Sequence, residues 1–560
     1  MQCDRCLDNI CLLPWSYFCW SIRFCFCFGL PEYSSQKAMS ADYSHLCSAI
    51  LEQCFGKVVQ LVADCLFSAT TRSLSQIASS TKLSRKEVAL ALAVLVKYRL
   101  VDFGASQQNP FLAEYALRRE DVLCLLRYPR YVHLVQAKYG NVGASIAEEL
   151  INSGSDTATG ILVKCLTEGE NKSETAESYR NSFLQMITDH YIIKKPELLS
   201  TDDTEEVVPK FETNECDFYR HPNIDLQLLA KIRKGEATVS EAKDGHMVWN
   251  LNYDRFHQDF RDSIMIDAIE RKLGENAAEC FRFILKIMYN STDPWQRKLS
   301  NQITFVEIKQ TIEKKSNNLD LMKYLDQYIS LITDDSLGFL RRVGDMGGGL
   351  FVVDMEKSFE SLAFACVESV ITERFGSKAA RIFRVIRCKK YIEQEDLQKE
   401  AMIPSKEAKS LAYNLFQEQF IHVKIIKKPG GGSNGPAKAF YLFQVREKDT
   451  VRMLLDVSYK SLYNTIERSN FEKNEHKGLI EKSQRLDSIV ETMKERGESD
   501  EYIAEIVETF TPPECEILKK VKNRIKTLSK AELTLDDTIF LLQMYQHHCT
   551  TLPTGIRKFK

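Results

Sequence analysis

The densest set of side chains suited to one kind of chemistry lies late in the chain: Arg387, Lys389 and Lys390, then Lys424, Lys427, Lys428 and Lys438. Guanidinium and ammonium groups so grouped suit phosphate oxygens, giving affinity that is salt-sensitive and indifferent to base sequence. Arg341 and Arg342 form a smaller pair of the same kind. The bland alternative for both is a solvated basic face. The stretch "GGGSNGPAK" (430–438) has the composition of a phosphate loop but lacks the GK[ST] ending that opens a helix, so it reads as a flexible hairpin tip. His257, in "RFHQDF", lies among Arg255, Asp259 and Arg261, which are types suited to acid–base work, but a lone histidine with no placed partner reads as structural. Cys3 and Cys6 make one CxxC without a second pair at a zinc-binding distance. The chain offers no aspartate cluster, Walker pattern or Ser/His/Asp set, so no catalytic residue, metal or cofactor is expected and an enzyme reading has nothing to carry it.

The bulk numbers agree with a binding or assembly role. A chain of 560 residues is long enough for several domains, and 44% hydrophobic and 27% charged residues with a net charge of −2 describe a globular protein rather than a polycation. Nucleic-acid contact would then come from local patches. Eleven of the seventeen cysteines lie singly beyond residue 38, which points to a reducing compartment. No apolar run of about eighteen residues follows residue 38, so no membrane partner is expected. Residues 1–38 hold the other six cysteines, and from Ile10 to Leu30 carry only Arg23 as a charge, mimicking a signal or an anchor. They are expected to be a non-native or disordered extension. The folded chain would open near Met39, with Ser40 or Asp42 capping its first helix.

The elements that must position the basic groups follow from an internal repeat. "KLGENAAECFRFI" (Lys272 to Ile284) aligns without a gap on "RFGSKAARIFRVI" (Arg374 to Ile386), and looser copies are "CFGKVVQLVADCL" from Cys54 and "KYGNVGASIAEEL" from Lys138. Each joins an apolar or aromatic residue and a glycine to apolar positions three and four apart, the pattern of an amphipathic helix. After the last copy come a short helix from Glu393 to Glu400, a helix opened by Pro404, and two β-rich segments, "FIHVKII" and "KAFYLFQV", around a Gly-rich tip. Three helices and a hairpin make a winged helix. The first copy repeats that plan, the third ends in the wing "FLRRVGDMGGGLFVV", and the second is the poorest match. The expected class is mainly α with small β-hairpins: four tandem extended winged helices, then a C-terminal coiled coil or helical hairpin.

The expected boundaries are 39–128, 129–199, 249–355 and 356–446 for the winged helices, with an acidic, Pro-punctuated linker at 200–248. From 447 to 548 the rhythm becomes that of a coiled coil: Leu455, Tyr459, Leu462 and Ile466, then, past the polar "NFEKNEHK", Leu479, Leu486, Val490 and Met493 in a shifted register. Pro512-Pro513 is expected to interrupt it before two further helices, with a tail at 549–560. This seam would face the C-terminal helices or another subunit. The second helix of the first winged unit, "SRKEVALALAVLVKYRL", is too apolar to read bases and suits a protein contact.

Long blocks of the chain resemble the tandem winged-helix subunit of RNA polymerase III that belongs to its three-protein initiation subcomplex, related in its domains to TFIIE alpha. They are "WNLNYDRFHQDFRD", "DQYISLITDD" with "GDMGGGLFVV", "ERFGSKAARIFR" with "KKYIEQEDLQKEAMIPSKEAK", and "YKSLYNTIERSNFEKNEHKGLIEKSQRLDSIVETM". The resemblance runs from about Met39 to 545. It implies a nuclear, non-catalytic subunit of DNA-directed RNA polymerase III. Its partners would be two companion subunits, the clamp of the largest subunit, TFIIIB, and single-stranded or promoter DNA bound without sequence specificity. It also implies a role in promoter opening and TFIIIB recruitment for small RNAs such as tRNA and 5S rRNA. Two rivals are a winged-helix scaffold of proteasome-lid or cullin type and a free-standing sequence-specific regulator. Such scaffolds carry one winged helix after many helical repeats. A regulator would need a polar, basic recognition helix, which only the fourth unit, with Lys406 and Lys409, approaches.

Overall fold

The computed structural model describes residues 41–549 apart from 69–70, 107–108, 110, 169–174, 197–207, 209–217, 234–235, 237, 239–240, 243, 246, 291–296, 317, 428–438 and 497–510. The expectations for residues 1–38 and for the tail after 549 lie outside these residues. Two compact bodies are formed, one of Ser44–Gln296 and the other of Arg297–Pro553 together with the residues up to Tyr43, so the boundary falls in the first turn of the first helix. Among the described residues no helix is long and apolar enough to cross a membrane.

The first body begins with helices α1 (Ala41–Phe55), α2 (Lys57–Phe67), α3 (Leu74–Thr81) and α4 (Arg85–Lys97), with strands β1 (Arg72–Ser73), β2 (Val101–Ala105) and β3 (Ala113–Leu117). The strands pair antiparallel in the order β1-β3-β2, the sheet of a winged helix. Local chemistry explains the helix starts. Ser73 and Ser84 each accept a hydrogen bond from the backbone N–H three residues on, and the Gln76 and Glu87 side chains in turn accept one from the cap residue's own N–H.

The second unit has α5 (Tyr128–Ser153), β4 (Asp156–Thr157), α6 (Ala158–Glu168), α7 (Ala176–Thr188), β5 (Ile192–Lys194), α8 (Leu226–Arg233) and β6 (Val248–Leu251). Its sheet order is β4-β6-β5, so the middle strand comes from the far side of the supposed linker. Residues 200–248 are therefore an insertion between two strands of one winged helix. Ile224 and Leu229 from that stretch join the buried cluster around Phe183 and Trp249. Asp244, also buried, accepts hydrogen bonds from the N–H and Oγ1 of Thr159 at the start of α6 (2.8 and 2.9 Å). Local composition suggested a solvated tether because the apolar anchors are sparse and aperiodic. The body closes with α9 (Tyr253–Leu273) and α10 (Glu275–Met288).

The repeat has one backbone cause. Gly56, Gly140, Gly274 and Gly376 each separate two helices with φ between +73° and +95° and an extended ψ: 174°, −165°, 171° and 168°. That region is essentially reserved for glycine. A Cβ at any of the four would meet no atom within 4 Å, so the constraint is conformational rather than steric. Gly376→Ala is accordingly expected to destabilise its winged helix by about 1–3 kcal/mol, read as a lowered urea midpoint without a change in slope.

The second body opens with β7 (Ile303–Thr304), α11 (Phe305–Lys315), α12 (Leu319–Lys323), α13 (Leu325–Asp334), β8 (Leu340–Gly344) and β9 (Leu350–Val353), in the sheet order β7-β9-β8. Tyr324 breaks the helical stretch "LDLMKYLDQYISLI" into α12 and α13. The fourth unit follows: α14 (Met355–Phe375), α15 (Ser377–Lys389), α16 (Gln394–Ala401), α17 (Ser405–Gln417), β10 (His422–Lys427) and β11 (Ala439–Gln444). Pro404 is the cap of α17 rather than its first helical residue. The sheet here is a two-stranded ribbon, with Ile392 bridging to Phe443 where the other units have a third strand. Four winged helices in tandem separate this fold from scaffolds that carry one.

At the C-terminus α18 (Glu447–Glu475) and α19 (Lys477–Arg496) are divided at His476, as the polar interruption implied. Pro512-Pro513 does not precede two helices. Pro512 opens a single one, α20 (Pro512–Cys549), because proline is tolerated in a first turn where its missing N–H is not needed. Glu514 meets Lys482, Arg524 meets Glu472, and Gln543 donates to Tyr459 Oη, so α20 runs antiparallel to α18 and α19. Its last turns reach α14: Tyr545 meets Phe364 edge-on, His548 stacks on Phe359, and Cys549 Sγ donates to the Glu356 carbonyl at 3.1 Å.

Candidate nucleic-acid interface

The fourth winged helix divides the expected basic cluster into groups with different jobs. Arg387, on the last turn of α15, donates to Glu360 of α14 and Glu447 of α18 (both 3.0 Å), with its guanidinium 3.9 Å over the Phe364 ring. It pins three helices together and is committed to the fold. Lys389 pairs with Glu400 of α16 at 3.0 Å, with both side chains half exposed. Such a pair contributes little to stability and is readily exchanged for another anion. Lys390 is exposed, in a left-handed conformation that turns the chain out of α15. Lys424 is exposed on β10, its ammonium 4.7 Å over the Tyr391 ring. Lys427 ends β10 opposite Ala439. Lys428 and the whole of the expected hairpin tip 430–438, Lys438 included, lie outside the described residues. At the root of the wing, burial, together with Arg446 nearby, pushes the His422 imidazole below its ordinary value. It is therefore neutral at pH 7 and adds no positive charge.

What the basic residue types did not announce is the set of exposed apolar and aromatic side chains on the same unit. Tyr441 is 60% and Ile425 54% exposed, and they face each other across the ribbon; Ile426 and Phe440 form the next exposed pair. On α17, Lys406, Lys409, Tyr413 and Phe416 are all exposed, and their spacing of three, four and three sets them along one face of the helix. That spacing was available in the sequence as the signal. Cations interleaved with exposed rings offer phosphate contacts beside surfaces on which unpaired bases can stack.

The third wing is a weaker case. Arg342 pairs with Asp345 (2.9 Å) and Arg341 lies 3.7 Å from Asp354, so each is partly neutralised within its own hairpin. His257 belongs to a packed aromatic group: its Nε2 lies 2.8 Å from Tyr131 Oη, and Phe256 and Phe260 flank Tyr131. Nearby, Tyr191 Oη lies between Lys138 and Asp259, and burial and the Asp259 charge raise the Tyr191 phenol well above its ordinary value. The Tyr191 hydroxyl is therefore a neutral hydrogen-bonding position held by the fold. Glu472, Glu475 and His476 bring ligand atoms within 4.8 Å of one another, but Glu472 already holds Arg468 and Arg524, which compete with any cation.

The seam is split. Leu455, Tyr459, Leu462 and Ile466 are buried within the chain, where α20 lies along α18, so they are not free to meet a partner. Leu479, Leu486, Val490 and Met493 on α19 remain half-buried. The sequence showed one stripe in two registers; which half is covered depends on where α20 begins.

Comparison with known proteins agrees with this architecture. Residues 45–106 match the family described as RNA polymerase III subunit RPC82 helix-turn-helix domain, 181–362 match RNA polymerase III subunit RPC82, 367–445 match the POLR3C C-terminal winged-helix domain, and 478–541 match the helical hairpin domain of DNA-directed RNA polymerase III subunit RPC3. The third of these covers the unit that carries the basic and aromatic face. The chain is 35% identical over 530 residues to DNA-directed RNA polymerase III subunit RPC3 of Mus musculus, covering 89% of this chain and 97% of that one. It is 34% identical over 531 residues to the Homo sapiens protein of that name, with the same coverage, and 24% identical over 314 residues to that of Dictyostelium discoideum, covering 54% of this chain and 43% of the relative. With four winged helices, a helical hairpin and likeness along nearly its whole length, the chain belongs to the RPC3 family of DNA-directed RNA polymerase III subunits.

Proposed function

We propose that this accessory subunit works in the nucleus without catalytic residues of its own, within a three-subunit initiation subcomplex seated on the clamp of the largest polymerase subunit. There it assists promoter opening and TFIIIB recruitment for transcription of small RNAs such as tRNA and 5S rRNA. Its direct contribution to opening is a surface on the fourth winged helix that holds single-stranded or promoter DNA without reading its sequence. The observation that carries this reading is the row Lys406, Lys409, Tyr413 and Phe416 exposed along one face of α17, in a unit that also exposes Lys424, Phe440 and Tyr441 on its ribbon. A surface of cations and rings accepts any strand because every base has a face to stack and every phosphate a charge.

The test is promoter-DNA binding by the assembled polymerase carrying Lys424→Ala, Lys427→Ala and Lys428→Ala together. Affinity is expected to fall more at low salt than at high salt, and the salt slope to flatten by about two units, since each phosphate contact contributes about 0.7–0.9. Assembly should be unchanged. Loss of assembly with DNA binding retained would show that these lysines serve a protein contact.

A further inference from the structure

We propose that Ser80, on the outer side of α3 in the first winged helix, is a phosphorylation site, with Arg72 as the group that receives its phosphate. Arg72, in β1, is half-buried and meets only neutral side chains. Its Nη1 donates to Ser80 Oγ at 2.8 Å and to Cys65 Sγ at 3.1 Å, and its Nη2 donates to Ser68 Oγ at 3.1 Å. Three of its five N–H donors are thus engaged, and among the described residues no carboxylate pairs with it. A guanidinium so placed suits phosphate oxygens, which it can hold two at a time. Beside it a cleft of about 540 Å³ is lined by Thr71, Arg72, Ser75, Gln76, Ser79 and Ser80, which offer hydroxyl and amide groups and no carboxylate.

Ser80 is the exposed hydroxyl of that cleft that Arg72 already touches. Ser79 is exposed too, but its Oγ donates to the Ser75 carbonyl and meets no cation. Helical side chains lean toward the N-terminus of their helix, so a phosphate on Ser80 lies over the turn that starts at Gln76, on the side of Arg72, and not over the carbonyls that end α3. Ile77 is the only buried residue of this two-turn helix, so little packing opposes the local opening that a protein kinase requires. With ATP as donor, the bond from Ser80 Oγ to the γ-phosphorus forms as the bridging bond to ADP breaks, and the hydroxyl proton passes to the base of the kinase. The ester oxygen gives up its hydrogen bond to the Gln76 carbonyl, and three phosphate oxygens become acceptors for Arg72. The turn into α4 changes as well. Lys82, Arg85 and Lys86 are exposed there and make no ion pair among the described residues, while Glu87 is taken up in capping its own helix. A phosphate offsets about two positive charges at this corner.

Phosphopeptide mass spectrometry of polymerase isolated from growing and from starved cells, with phosphatases inhibited, should find phosphate on Ser80. Phosphate on Ser75, Ser79 or Thr81 alone, or none on this segment, overturns the assignment. The full chain is then made with phosphoserine at position 80. Phosphorus NMR should show the second ionisation of the phosphate at lower pH than in an unfolded peptide of the same sequence, because the guanidinium favours the dianion. Amide exchange in α3 should slow about tenfold against the unphosphorylated chain, the factor that one charge-assisted hydrogen bond supplies. Arg72→Gln should abolish both effects. Arg72→Lys keeps a charged donor at the site should an uncharged residue prevent folding, and it should lose about half of the downshift, because an ammonium cannot take two oxygens in a planar fork. An unshifted ionisation in the phosphorylated chain, or a full downshift in either variant, overturns the role given to Arg72.

Discussion

Trp249→Ala unfolds the second winged helix: the substitution should remove about 3–5 kcal/mol, the range for deleting a buried large aromatic side chain. Trp249 is fully buried in the central strand of that unit's sheet, paired with Asp156 on one side and Lys194 on the other. Its ring meets Phe183 of α7 edge-on at 5.9 Å. Two pieces of chain separated by the acidic insertion depend on this one side chain. Trp249→Phe should lose far less, because the indole Nε1 is buried without a hydrogen-bond partner and its removal leaves nothing unsatisfied. Denaturant melts of both variants and the parent, with proteolysis to locate the opened region, provide the measurement. A fragment ending at residue 199 should fail to fold this unit. An alanine variant as stable as the parent would mean that β6 is not integral to it.

A loss of similar size is expected from Asp262→Ala. Arg261 has no exposed side-chain surface, and its guanidinium donates to Asp262 Oδ1 at 2.9 and 3.1 Å and to Tyr289 Oη at 2.9 Å. The Tyr289 hydroxyl in turn donates to Asp262 Oδ2, closing a three-residue knot between α9 and the end of α10. Removing the carboxylate takes the charge and two hydrogen bonds away from a buried guanidinium, and breaking a buried pair by removing one partner typically destabilises by about 3–5 kcal/mol. Asp262→Asn retains an acceptor and should lose less. A double replacement of Arg261 and Asp262 by Met and Leu should recover much of the loss, since the desolvation penalty leaves together with the attraction. Chemical denaturation of the three variants ranks them, and a double variant no better than Asp262→Ala would show that the pair gives net stabilisation.

That knot also shows where reading residues in order runs out. In "RFHQDFRD" His257, read as structural for want of a placed partner, does pack among rings, but nothing in the run of charges marks Arg261 and Asp262 as buried, which they are. Adjacent charges on a helix are 100° apart, so periodicity alone cannot say that both point inward. The basic cluster of the fourth unit is a similar case. Arg387 and Lys424 read alike as cations in one basic cluster, but one is held by two glutamates and the other lies open on the wing.

The local features were legible because their causes are local. A glycine that alone tolerates positive φ with extended ψ announces each helix–Gly–helix joint, Ser and Gln or Glu three residues apart announce the capped helices, and alternating apolar residues around a Gly-rich tip announce the wing. These fixed the mainly α class, the fourfold repetition and the break at His476. Sheet membership was different, since strand pairing is long-range and short strands carry little pattern of their own. Nothing in "VWNL" says that it returns across more than fifty residues to separate β4 from β5. Coverage was different for the same reason. An apolar stripe states that something must bury it, but whether a helix of this chain or a partner does so depends on where that helix starts and runs, a property of the packed chain rather than of any one segment.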